Sequence, residues 1–523
     1  MKKIASILFT SAFVLILCSC EKFLEEEPKN QISVDQFFKV PEDVESTVNS
    51  LYGNGVLNRY RSGDFQINAM LGGYLTGFFE NERTERPGPF EANNLTLDPD
   101  NMDGYLSDYW RDAYDAISKA NTAIKYIPEV EGLSASEGNR LMAEAKFFRA
   151  FNYFALVRDF GDVPIITDPY ESLDNLYVPR APSTEVYALI IDDLEWALAN
   201  GSLAKVPLYS NGYRITEGVV AATLANVQLQ KAGFPIQGGT ESYAKAADAA
   251  RIIINSGQYS LEPNGSTPEE SGYNAIRTSD TSKESVFALE IDPQYRTSNL
   301  FALTVPKYAA VPGVIPGDVW IVYRPLNEFL RIYDPTKDLR MQNHQLWYSS
   351  IDRDGATYNF NGNWAPYIWY DEEALFGTGK TGKDININLY SEILLIAAEA
   401  IAQSTGVTDE AVQYLTDVRS RAYWQTDRSQ IESELSGLSK DRFIEEVWKE
   451  RLRELPFIFK IWSDIQRTHL YPVTSAANPG EVNFVNVIGH TNPYGATYQE
   501  KHMLLPIATQ VKDRNPELTG NGY

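Results

Sequence analysis

Cysteine is nearly absent: Cys18 and Cys20 are the only two in 523 residues. Two cysteines cannot build a disulfide framework, and no Cys-x-x-Cys pair is present for zinc or thiol redox chemistry. Histidine is scarce as well, and His344, His469, His490 and His502 are scattered, with no H-E-x-x-H helix and no G-x-S-x-G elbow. Basic charge is in deficit, 46 Lys and Arg against 70 Asp and Glu for a net −24. That balance repels phosphate backbones, so nucleic-acid binding driven by counterion release is not expected, and an anionic membrane surface is disfavoured too. Beyond the N-terminus no stretch approaches 18 consecutive apolar residues, which argues against a membrane-spanning helix. Apolar and aromatic residues, by contrast, are plentiful. At 43% hydrophobic and 12% aromatic, the chain has the composition of a globular protein with a large core and not of a disordered one.

The two cysteines close an export signal. Lys2 and Lys3 precede an apolar run from Ile4 to Leu17, which ends in Leu17-Cys18-Ser19-Cys20 before polar Glu21-Lys22. Charged, hydrophobic and small-residue regions follow in the order of a secretory signal, and the run is too short to span a bilayer comfortably. The tetrapeptide resembles a bacterial lipobox. That resemblance implies cleavage after residue 19 and diacylation of Cys20, leaving one cysteine whose sulfur carries lipid. More than one acyl chain gives stable anchoring, so the expectation is a tethered, outward-facing protein.

Helical periodicity dominates most of the remainder. Pro41-Glu42-Asp43 opens a helix with Val44, Val48 and Leu51, since proline at the first turn followed by acids is a start signal. Apolar residues at helical spacing predict helices over 106–127, 139–159, 183–200, 217–231, 243–255, 387–403, 408–422 and 440–455. Short turns between them, and small residues on faces such as the alanine-rich 217–231, suggest stacked tetratricopeptide-like helical pairs. Residues 60–104 are richer in Gly, Pro and Asn and read as an irregular excursion. From 261 to 385 Gly, Pro, Asn and Asp punctuate short segments, of which 285–291 alternates like a strand. The fold class expected is therefore mainly α. A helical-pair scaffold at about 30–260 and 386–470 is interrupted by a loop and short-strand insert at about 261–385, and a loop-rich tail spans 471–523 within one domain, 20–523.

Five segments, in order, resemble the SusD/RagB family of outer-membrane glycan-binding lipoproteins. Cys20-Glu21-Lys22-Phe23-Leu24-Glu25-Glu26-Glu27-Pro28 is similar to the family's lipidated opening. Residues from Phe148-Arg149-Ala150 through Tyr153-Phe154 to Gly161-Asp162-Val163-Pro164 resemble its most recognisable internal segment. Arg419-Ser420-Arg421-Ala422, Leu504-Leu505-Pro506-Ile507 and Asn515-Pro516 through Tyr523 resemble its later motifs. One segment departs: after the last long helix, Glu454 to Ile465 is rewritten around Pro456. The resemblance implies a SusD-like α superhelix on the cell exterior, held to the outer membrane through Cys20. It further implies an oligosaccharide or polysaccharide ligand, a SusC-like TonB-dependent transporter as partner, and no enzyme activity, catalytic residue, metal or cofactor. Two other classes stay open on the residues alone: a surface glycosidase using paired carboxylates, and a helical-repeat adaptor between proteins.

Sugar capture needs flat apolar surfaces against C–H faces and planar polar groups for hydroxyl pairs. Residues 295–370 hold fifteen of Phe, Trp and Tyr, roughly 20% of positions, and four of nine tryptophans. This enrichment nominates Tyr295, Trp320, Trp347, Trp364 and Tyr367, with Arg353 as a nearby polar fork. The loop 74–95 supplies a second candidate wall, Phe78, Asn81 and Phe90. Two apparent motifs fail. In 377–384 an Asp stands where a phosphate-binding loop needs a magnesium-binding hydroxyl, and in 98–109 Met102 and Tyr109 break a calcium loop.

Overall fold

The computed structural model describes residues 37–60, 62–63, 66–84, 88–169 and 176–523. The export signal, Cys20 and the opening motif through Pro28 lie outside the described residues. Helix α1, Pro41–Leu51, starts where the sequence predicts. The carboxylate of Asp43 accepts from the Val40 N–H at 3.0 Å, and Val44, Val48 and Leu51 face inward. Helices α2 (Asp103–Tyr126), α3 (Ala135–Phe160), α4 (Ser183–Asn200), α5 (Glu217–Ala232) and α6 (Gly239–Asn255) follow. After the insert come α7 (Tyr390–Ser404) and α8 (Asp409–Ala422). Each of α2 to α8 packs on the next, including α6 on α7 across the insert. The scaffold is thus one continuous stack of helical pairs, and the insert leaves and re-enters it between two touching helices.

Helix α3 is the central beam. Ser134 and Glu137 cap it reciprocally, and from Leu141 onward it is buried on nearly every side, its inward polar residues included. Its Arg149 holds Asp193 of α4 through Nε and Nη2 at 2.7 and 2.8 Å and donates to Asn121 of α2 at 3.0 Å. The recognisable internal segment is therefore a fastening point for three helices.

Two helices flanking the predicted 440–455 span, Arg428–Ser436 and Ile461–Thr468, are not marked by the periodicity. Helix α9, Arg428–Ser436, is polar and buries only Ile431 and Leu435, so periodicity scarcely marks it; the Asp427 carboxylate caps it by accepting from the Ser429 N–H at 2.8 Å. Helix α10, Lys440–Glu454, returns against α7. Around Pro456 a 3-10 turn, Pro456–Ile458, leads to Phe459 at φ 59° and then to α11, Ile461–Thr468, which buries Ile461, Trp462 and Ile465.

The base of the insert is a two-stranded antiparallel sheet, Ser285–Leu289 with Ile385–Leu389. All five residues of the first strand are buried, unlike the alternation predicted, because both faces are covered; Phe287 meets Phe147 and Phe151 of α3 edge-on. The same pairing holds residues 387–389 in strand, so α7 begins at Tyr390 and not at Ile387. Beyond this base the insert has a small core of its own, including Phe301, Tyr348, Phe360, Tyr370 and Leu375. A buried ionic net locks insert to scaffold. Arg340 reaches Asp338, Glu450 and Glu454, each at 2.8 Å, while Arg421 bridges Glu284 and Glu454. Arg419 adds Glu446 at 2.9 Å and Glu450 at 2.8 Å. The tail forms a hairpin, Leu470–Thr474 with Val482–Asn486, and a short helix, Thr509–Arg514.

Candidate functional site

Two Asx-Gly turns shape the outer rim of the insert. At Asp354-Gly355 and Asn361-Gly362 both residues have positive φ, 51° and 78° in the first, 51° and 83° in the second. Asn, Asp and Gly tolerate that conformation and favour tight reversals. The first closes the hairpin Ser350–Arg353 with Ala356–Asn359. The second, with the Asn363 N–H donating to the Phe360 carbonyl at 2.9 Å, presents Asn363 and Trp364 side by side.

From Asn363 a polar chain runs across the rim. Its Nδ2 donates to the Tyr308 hydroxyl at 2.8 Å, which itself donates to the Phe360 carbonyl at 2.7 Å, and its Oδ1 accepts from Arg324 at 3.0 Å. Arg324 pairs with Glu80, and the Tyr494 hydroxyl donates to the same carboxylate at 3.3 Å. Strand pairing of Phe79–Glu80 with Arg324–Pro325 sets this register. At one end half-buried Trp320 lies under two cations, Lys307 Nζ 4.4 Å and the Arg83 guanidinium 5.0 Å from its ring centre. Beside it the Glu82 carboxylate accepts from the Ile321 N–H at 2.9 Å; burial pushes Glu82 above the usual carboxylate range. At the other end half-buried Trp364 lines a shallow depression with Asn327, Arg331, Tyr333 and Met341. Its empty space is about 570 Å³, the open mouth included. The chain of planar forks, Arg324 and Asn363, and phenol hydroxyls thus has an indole near each end: Trp364 follows Asn363 in sequence, and Trp320 is held by Lys307, the neighbour of Tyr308.

One family profile, described as "Starch-binding associating with outer membrane", matches residues 22–229; a second, "SusD family", matches residues 254–523, more than half of the chain. The chain belongs to the SusD family. SusD-like protein P2 of Formosa agariphila is 27% identical over 487 residues, covering 87% of this chain and 89% of the relative. A SusD superfamily structure from Parabacteroides distasonis superposes with a TM-score of 0.80 at 27% identity, covering 92% of this chain and 99% of that one. Surface glycan-binding protein A from Bacteroides uniformis gives 0.71 at 21% identity over 92% and 99%, a likeness of fold alone.

Within this SusD-family chain the structure sorts the candidates. Trp320 and Trp364 are half-buried, each beside a residue that adjoins the polar chain. Trp347, Phe78 and Asn81 do not offer themselves to a ligand, and these three nominations are corrected. Trp347 is fully buried between Phe79, Phe329 and Phe457; Phe78 packs on Phe329 and Tyr471; Asn81 is buried with its Oδ1 accepting from the Arg83 N–H at 2.9 Å. Phe90 is 53% exposed on a short helix, Pro89–Asn93, that packs against strand Phe79–Glu80. Tyr295 is 89% exposed at the tip of a turn bridging Asp292 and Arg296, with no ring contact among the described residues. Tyr367 is half-buried and already engaged: stacked on Tyr370 at 5.3 Å, met edge-on by His344 at 5.0 Å and covered by the Arg277 guanidinium at 4.4 Å. Arg353 stacks on Phe376 at 4.3 Å, with Asp354 and Glu372 at 3.8 and 3.9 Å. Tyr308, Arg324 and Tyr494 were missed. They are separated by up to 186 positions in sequence, and no spacing rule connects them.

Among the described residues no group of three or more His, Cys, Asp or Glu could hold a metal ion. The former calcium-loop candidate is an Asx turn in which the Asp98 carboxylate accepts from the N–H groups of Asp100 and Asn101 at 2.8 and 2.7 Å, leading into α2. No described helix is long and apolar enough to cross a membrane.

Proposed function

We propose that this protein is a cell-surface lipoprotein of the outer membrane, anchored at Cys20, that binds an oligosaccharide or polysaccharide and passes it to a TonB-dependent transporter. The observation that carries the reading is the bracketed face: two half-buried indoles, Trp320 and Trp364, near the two ends of the Arg324–Asn363–Tyr308 chain. Indole faces take the C–H surface of a sugar ring, and forked donors and acceptors take adjacent hydroxyl pairs. The lipobox resemblance, the outer-membrane description of the matching profile and the glycan-binding names of structural neighbours support it.

Protein lacking residues 1–20 is expected to be retarded in native gels containing its polysaccharide and to return the ligand with no new reducing ends. Trp320→Ala and Trp364→Ala each cost about 1 kcal/mol of binding, roughly fivefold in Kd, read by titration calorimetry. Folded protein that no member of a broad glycan panel retards would overturn the reading. Unchanged affinity in the double variant would place the ligand elsewhere.

A further inference from the structure

A second cleft opens in the helical scaffold, with none of its lining drawn from the bracketed face. Helix α3 supplies Arg158, α5 supplies Asn226, and α11 with the residue before it supplies Lys460, Trp462 and Gln466. Tyr60 completes the rim.

Its charges do not cancel locally. The Asp159 carboxylate already serves two guanidiniums, Arg59 at 2.9 Å and Arg158 at 2.8 Å, and also accepts from Tyr109 at 2.7 Å. Arg158 spends Nε and Nη2 on it, and its remaining Nη1 has no hydrogen-bond partner among the described residues. Among the described residues Lys460 Nζ has only Glu392 as an ion-pair partner, at 3.3 Å; burial, and then repulsion from Arg158, hold the ammonium below its usual range. The Gln466 amide donates to the carbonyls of Arg158 and Met503, yet its buried Oε1 has no partner, a costly omission unless something fills it. Phe151 and Phe154 supply apolar wall.

We propose that this cleft binds a small hydroxy acid of the sugar-acid class, its carboxylate between Arg158 and Lys460 and a hydroxyl donating to Gln466 Oε1. The chemistry is the same for a free sugar acid and for one ending an oligosaccharide. The proposal does not depend on the bracketed face. Calorimetry on the purified protein, with D-glucuronate, D-glucose, inorganic phosphate and a glucuronate-terminated disaccharide as probes, tests it. Glucuronate is expected to bind at one site, with glucose and phosphate at least roughly tenfold weaker. Lys460→Met and Gln466→Leu each weaken it by roughly tenfold, whereas the Trp320→Ala, Trp364→Ala double variant leaves it unchanged. Lys460 and Gln466 are chosen because replacing Arg158 would also disturb Asp159. Binding of the disaccharide as tightly as the monomer assigns the site to oligosaccharide ends, and binding of the monomer alone assigns it to free acid. Absence of glucuronate binding at millimolar concentration, equal binding of phosphate, or indifference to both variants overturns the proposal.

Discussion

Asp384 carries a carboxyl whose proton responds near neutral pH. Burial, then the nearby charges of Asp280 and Glu290, push its carboxyl up to about 7, although it accepts from the Tyr213 hydroxyl at 2.5 Å and the Ile291 N–H at 2.9 Å. Its folded-state pKa lies above the unfolded one, so its contribution to stability is complete below the unfolded value near 4 and is lost as pH rises through about 7. Asp384→Asn is expected to flatten the stability curve between those values, measured by urea denaturation at a series of pH; an unaltered slope would rule out this carboxyl as its source. Asp159 and Glu450 act oppositely. Facing arginines hold both down to about 2, so their stabilisation is present above the ordinary carboxylate range and is lost as pH falls toward that value. At this scale the sequence said little about the site. Trp320 and Trp347 have the same side chain in the same irregular segment, yet one carries cations over its ring at the rim and the other fills the core.

Among elements, α10 shows how a helix can be legible and its purpose hidden. Periodicity predicts its span to within a residue, but its inward face carries Glu450 and Glu454, which meet Arg340 from the insert and Arg419 and Arg421 from α8. Charged residues at core positions look like solvated surface until their partners, 31 to 114 positions away, are in place. Arg340→Met removes the cation that Asp338, Glu450 and Glu454 share. It is expected to destabilise the protein by about 3–5 kcal/mol, read as a lowered urea midpoint, while Arg442→Ala on the exposed side of α10 leaves the midpoint in place. A midpoint unchanged by the first substitution would mean the net does not hold the insert. The Asx-Gly turns are the converse case: their dipeptides are visible in the sequence, and the reversals they dictate are the ones that set Asn363 and Trp364 at the rim.

For the whole molecule, the proposed route to the cell surface runs through one atom, the Cys20 sulfur. Cys20→Ala is expected to abolish incorporation of labelled fatty acid and to move the protein out of the membrane fraction; retention there, with no label, would defeat the anchor. The sequence by itself determined the helical scaffold, the interruption by an irregular insert and the resemblance to the SusD/RagB family. It could do so because helical periodicity, start signals and short motifs are local properties, written within a few turns of chain. Only the tertiary structure decided which aromatics the insert keeps for its own cohesion. Phe79, Tyr323, Phe329, Trp347 and Phe457 stack into the core, while Trp320, under Lys307 and Arg83, and Trp364, in its shallow depression, are left half-buried. In an irregular segment no period tells inward from outward. The direction of each ring follows from strand pairs and turns that join residues far apart in sequence, and that information exists only once the chain has folded.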